Sequence, residues 1–125
     1  MSKITKYRIK ATIPAGETSG SAYSQVIRGK ILSVGINYPA HACTVDLDSD
    51  GESASQKVMD LASASTDKTY YPRTPVCINT GAETVLSYTG LKVYEPFLIY
   101  GRIKLSLASG TATESVSVEL IVEEN

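Results

Sequence analysis

The residues whose spacing carries most chemistry are Asp46-Leu47-Asp48-Ser49-Asp50-Gly51. They match the first six positions of a calcium loop of the D-x-D-x-D-G kind, in which alternate carboxylates converge on a hard cation. The twelfth position, where a bidentate Glu closes the coordination sphere, is Lys57. Strand alternation would set Asp46 and Asp48 on one face about 6–7 Å apart. That arrangement reads either as a weak ion site or as a solvated acidic strand end, and no metal or other cofactor is assigned. Cys43 and Cys77 are accompanied by a single histidine, His41, too small a set for zinc. The two thiols are expected to be reduced and buried as small hydrophobes, with a disulfide or a Cys43–His41 dyad as the sharper alternatives. The chain has no G-x-S-x-G elbow, Walker lysine loop or G-x-G-x-x-G, so no catalytic residue is assigned and an enzyme is not expected. Tyr70, Tyr71, Tyr88, Tyr94 and Tyr100 would suit either a sugar-stacking platform or a core and subunit interface.

Whatever these groups do, strands must hold them. Val, Ile and Thr number 10, 10 and 12 among 125 residues, so about a quarter of the chain is β-branched. Ser, Gly and Pro punctuate it at short intervals. The formal net charge is −1, with 42% hydrophobic and 20% charged residues, which describes one compact domain over 1–125. The longest apolar run is Phe97-Leu98-Ile99-Tyr100, well short of the ~18–20 residues of a membrane-spanning helix. Met1 to Lys6 leads into no apolar signal region, so synthesis in a cytoplasm is expected.

Charge is segregated by position. Lys3, Lys6, Arg8 and Lys10 open the chain without an acid, and Glu114, Glu119, Glu123 and Glu124 close it without a base. Lateral pairing of the first and last strands would use that asymmetry, at ~0.2–1 kcal/mol per cross-strand pair. Four cations are a weak footprint for nucleic acid, and no specific nucleic-acid partner is expected.

Alternation places Tyr7, Ile9, Ala11 and Ile13 on one face of a strand ended by Pro14. Residues 15–21 read as an exposed loop. From Gln25 to Tyr38 the apolar positions Val26, Ile31, Val34 and Ile36 predict one long bent strand or two, with Gly29 and Gly35 at bulges or bends. Cys43 to Ser49 alternates again and ends in the turn dipeptide Asp50-Gly51. Lys57 to Ala64 fits a strand and a short helix equally, and Tyr70 to Pro75 is extended. A turn over 79–83 leads to a strand over Thr84–Tyr88, and Thr89-Gly90 makes another turn. Ile103, Leu105 and Leu107, then Val116, Val118, Leu120 and Val122, predict a hairpin reversed at 108–112 with one apolar face. About eight strands without a helical crossover imply an all-β, single-domain antiparallel β-sandwich, with a jelly roll as one form of it.

Tyr70-Tyr71-Pro72-Arg73, Thr80-Gly81-Ala82, Tyr94-Glu95-Pro96-Phe97-Leu98-Ile99-Tyr100-Gly101-Arg102 and the closing run of alternating valines resemble small β-rich virion proteins of tailed bacteriophages. The resemblance spans about 70–122 and is to the capsid decoration, or cement, type. It implies a non-catalytic structural protein of the virion, made in the host cytoplasm. Its expected partners are the major capsid protein and copies of itself as a homotrimer or dimer, with no membrane partner. Residues 1–10 and the loop 15–24 are the expected contacts. A tail, connector or fibre-base subunit and a carbohydrate-binding module are the alternatives.

Overall fold

The computed structural model describes residues 3–51, 54–77, 80–83 and 93–124. It contains ten strands: β1 (Lys3–Thr12), β2 (Gly20–Tyr23), β3 (Ile27–Asn37), β4 (Cys43–Asp50), β5 (Lys57–Ala64), β6 (Lys68–Tyr70), β7 (Arg73–Pro75), β8 (Tyr94–Pro96), β9 (Leu98–Ala108) and β10 (Ser115–Glu124). The fold is all-β with two antiparallel sheets. Eight strands run in the order β1-β10-β3-β9-β4-β5, with β2 added to β9 and β6 to β3, while β7 and β8 pair by themselves. Among the described residues no helix is long and apolar enough to cross a membrane.

The period of two built into the sequence decides which side of each strand is buried. β10 buries Val116, Val118, Leu120 and Val122, β4 buries Cys43, Val45 and Leu47, and β9 buries Ile99, Ile103, Leu105 and Leu107. These join Ile9, Ala11 and Ile13 and the β3 isoleucines in one apolar cluster. Each fully buried Leu or Ile side chain contributes roughly 1.5–3 kcal/mol by leaving water.

The first and last strands pair laterally, as their opposite charges predict. Lys3 lies opposite Glu124 and Arg8 opposite Glu119. Glu119 meets Lys6 at 3.5 Å and Arg8 at 3.4 Å, and the Tyr7 hydroxyl donates to Glu124 at 2.9 Å. These charges are half exposed, so each pair contributes at most about 1 kcal/mol.

β9 changes partner along its length. Leu98–Gly101 pairs with Ile27–Lys30 of β3, and from Arg102 onward β9 pairs with β4. Gly101 sits at the change with φ +155, and a Cβ there would lie 2.6 Å from the Asp50 carbonyl oxygen. No other residue fits that approach without displacing backbone.

The expected hairpin of β9 and β10 does not form. β9 pairs with β2, β3 and β4, whereas β10 pairs with β1 and β3. The connecting segment is tied instead to the β1–β2 loop: Gly110 N–H donates to the Thr18 carbonyl at 3.0 Å, Thr113 N–H to that of Ile13 at 2.8 Å, and Ile13 N–H to that of Glu114 at 2.9 Å. With Ser109 at φ 52 and Thr113 at φ 70, it carries the chain from one set of partners to the other. Alternation fixes which faces of β9 and β10 are buried but not which strands they neighbour, because it says nothing about hydrogen-bond partners.

Smaller departures have similar causes. The second half of the expected 15–24 loop is β2, recruited by the free edge of β9 from Leu107 to Lys104. Lys57–Ala64 is a strand because β4 offers it a ladder, Asp60 opposite Asp46. β3 is one strand whose irregularity falls where β10 shifts register between Ile121 and Val122, opposite Ser33 and Ile31 rather than at either glycine. Gly29 is instead required by close approach, since a Cβ would collide with the Glu123 carbonyl oxygen. Val26, expected within this strand, precedes it and is exposed. The strand expected over 84–88 and the Thr89-Gly90 turn lie outside the described residues.

Candidate functional site

Asp46, Asp48 and Asp50 alternate on the outer side of β4, as their spacing requires, but they do not converge. Asp48 is 3.4 Å from Lys57 and Asp50 2.5 Å from Arg102, each on a neighbouring strand. Asp46 faces Asp60. Burial pushes the Asp46 carboxyl up, and a hydrogen bond with Asp60 adds to it. Among the described residues no three His, Cys, Asp or Glu side chains are placed to hold a metal ion. Gly51 takes the positive φ that the turn reading required of it, +101.

The two cysteines are not bonded to each other. Cys43 is buried in the core, as expected, and Cys77 is exposed, which was not. His41 turns away from Cys43: its ring Nδ1 meets Glu114 at 2.5 Å and its backbone N–H donates to the same carboxylate at 3.3 Å. Burial alone would raise the Glu114 carboxyl, but the His41 hydrogen bonds and charge outweigh it and hold the group below its ordinary range. Burial, with Glu114 nearby, pushes the Cys43 thiol up, the reverse of what a thiolate nucleophile needs.

The tyrosines are distributed over different elements. Tyr70 packs on the core beside Tyr38, whose phenol is pushed up to about 12 by burial and by Tyr70. Tyr71 follows β6, Tyr94 lies on β8 and Tyr100 on β9, and Tyr88 falls outside the described residues.

What the fold does assemble is a strip along the outer side of β9. Leu98, Tyr100, Arg102 and Lys104 alternate outward there, and Leu98 and Tyr100 are 63% and 66% exposed. β3 brings Arg28 to 5.0 Å above the Tyr100 ring, and β2 brings Tyr23 to 4.2 Å beneath the Arg102 guanidinium and 5.9 Å from Lys104. Exposed stacks of this kind contribute ~0.5–1 kcal/mol each and hold long cationic side chains in place. A shallow groove of about 520 Å³ opens beside Arg28, Lys30, Leu98 and Tyr100, with Glu123 and Glu124 on its far side. The β9 half of the strip is legible as same-parity residues. Tyr23 and Arg28 enter it only through strand register.

Chemically, the strip offers aromatic and apolar area edged with guanidinium and ammonium groups. That composition suits protein contact, where Tyr and Arg are enriched. No family model, curated protein or solved structure matches the chain.

Proposed function

We propose that the chain is a structural protein of a tailed-phage particle, a capsid decoration or cement subunit that binds the major capsid protein and stabilises the head. In this reading the two-sheet fold is a closed β-sandwich of jelly-roll kind. The observation that carries it is the β9 strip, because exposed Leu98, Tyr100 and Tyr23 gathered around one strand form a surface made for a protein neighbour. The resemblance over 70–122 supplies the virion context. The capsid contact falls to β1, which pairs only with β10 among the described strands and carries Lys3, Lys6, Arg8 and Lys10, and to the adjoining loop 14–19. A sugar-binding role is less well supported, since an arginine already covers one face of the Tyr23 ring and one of the Tyr100 ring.

The test is to mix the purified chain with empty expanded capsids and with isolated tails. Saturable binding to capsids, with a rise in the temperature at which they disrupt, is expected. Binding to tails alone would assign the chain to another virion part, and binding to neither would overturn the proposal.

A further inference from the structure

We propose that Asp50-Gly51 is a self-modification site, at which the Gly51 backbone nitrogen closes on the Asp50 carboxyl to give a succinimide that opens to isoaspartate. In the folded chain Arg102 clamps the carboxylate and holds this reaction back. No other aspartate or asparagine of the chain is followed by glycine. A larger residue shields its own nitrogen with its side chain, and glycine does not. Gly51 stands just past the end of β4, exposed and at φ +101, where the ladder with β9 has stopped at Asp50. Its backbone therefore meets solvent. The carboxylate, however, is turned away from it. Asp50 Oδ2 accepts from Arg102 Nε at 3.1 Å and from Nη2 at 2.5 Å. Arg102 is the register partner of Asp50 on β9, and its guanidinium lies 4.2 Å over the Tyr23 ring of β2. Two neighbouring strands thus hold the carboxylate in place.

Ring closure requires Asp50 Cγ to face the Gly51 nitrogen in attacking geometry, and both bonds to Arg102 must be given up before it can turn. The bond from the Gly51 nitrogen to Asp50 Cγ forms as one carboxyl oxygen leaves as water, taking the amide proton and one proton from solvent. Solvent water then opens the ring. Cleavage at Cγ restores aspartate, whereas cleavage at the main-chain carbonyl leaves the chain running through Cγ with the α-carboxylate free. That second product lengthens the main chain by one carbon at Asp50. It shifts the Asp50 carbonyl from its close approach to Gly101 and takes the side-chain carboxylate from Arg102.

Prolonged incubation of the full chain at neutral pH tests this, with isoaspartate counted by isoaspartyl methyltransferase labelling and located by fragmentation mass spectrometry. In urea the chain should accumulate isoaspartate at Asp50, and the native wild type should do so roughly tenfold more slowly or less. Arg102→Gln, folded as its circular dichroism shows, should exceed the native wild-type rate roughly threefold or more, as loss of a half-exposed ion pair implies. If that variant does not fold, salt replaces it. The pair is 46% and 39% exposed, so high salt should hasten the reaction in the native wild type and leave the rate in urea unchanged. A native rate equal to that in urea, or no isoaspartate at Asp50 in urea, would overturn the proposal. So would a folded Arg102→Gln that reacts no faster than wild type or, where it does not fold, a native rate indifferent to salt.

Discussion

The backbone N–H of Ile103 donates to the Ser24 hydroxyl oxygen at 2.8 Å, while the Ile103 carbonyl accepts from the Ser24 N–H at 2.9 Å. Ser24 lies one residue past the end of β2, and its hydroxyl stands where the next ladder carbonyl would be. The hydroxyl in turn donates to the Gln25 carbonyl at 2.7 Å. With Ser24 itself 7% exposed, this pair seals β2 onto β9 and so positions Tyr23 in the strip.

Ser24→Ala leaves the Ile103 N–H buried without an acceptor, at a cost of ~1–3 kcal/mol. Urea denaturation should show the loss, and Ser24→Thr should recover most of it. An unchanged midpoint in Ser24→Ala would mean that the bond holds nothing in place.

Two glycines should respond oppositely to alanine. Gly101→Ala meets the Asp50 carbonyl oxygen at 2.6 Å from a positive-φ backbone, a strain of roughly 1–3 kcal/mol before the clash is counted. At Gly35 the nearest atom to an added Cβ is 3.8 Å away, with φ in the ordinary range, so Gly35→Ala should be neutral or stabilising by up to ~1 kcal/mol. Thermal melts of the two variants side by side check this, and equal losses would contradict it.

Asp46 makes stability pH-dependent in a direction that can be worked out. Burial and the bond to Asp60 raise its folded-state pKa above the unfolded value of about 3.9. Folding then carries a penalty that is absent below the unfolded value, grows as pH rises through the interval, and is complete above the folded pKa. Asp46→Asn should be more stable than wild type at neutral pH and lose that advantage by about pH 3. Denaturation at both pH values decides it: an advantage of the same size in both would show that ionisation is not the cause.

The thiols should separate kinetically. Cys77 is exposed and Cys43 buried, so a disulfide reagent should titrate one thiol in the native protein and the second only in denaturant. Reaction of Cys43 in the native state should be slower by roughly a thousandfold or more, because it waits on unfolding. Two thiols reacting at one rate would refute the burial of Cys43.

The sequence by itself determined the strands and their buried sides. Side chains alternate along any strand, so Ile9 and Ala11, Leu105 and Leu107, or Val116 to Val122 can be assigned to the core before any neighbour is known. It also determined that the first and last strands lie together, because Lys6 and Arg8 have a counterpart in Glu119. Tertiary structure alone decided which other strands meet. Backbone hydrogen bonds are the same for every residue type, so the apolar alternation of β9 and β10 suits a hairpin and a crossing between ladders equally. Contacts from Thr18 and Ile13 far back in the chain selected the crossing. The strip was decided in the same way: β9 displays its own half of it, but register with β2 and β3 sets Tyr23 beneath Arg102 and Arg28 above Tyr100. Register is a long-range property, fixed only once the whole core has closed around it.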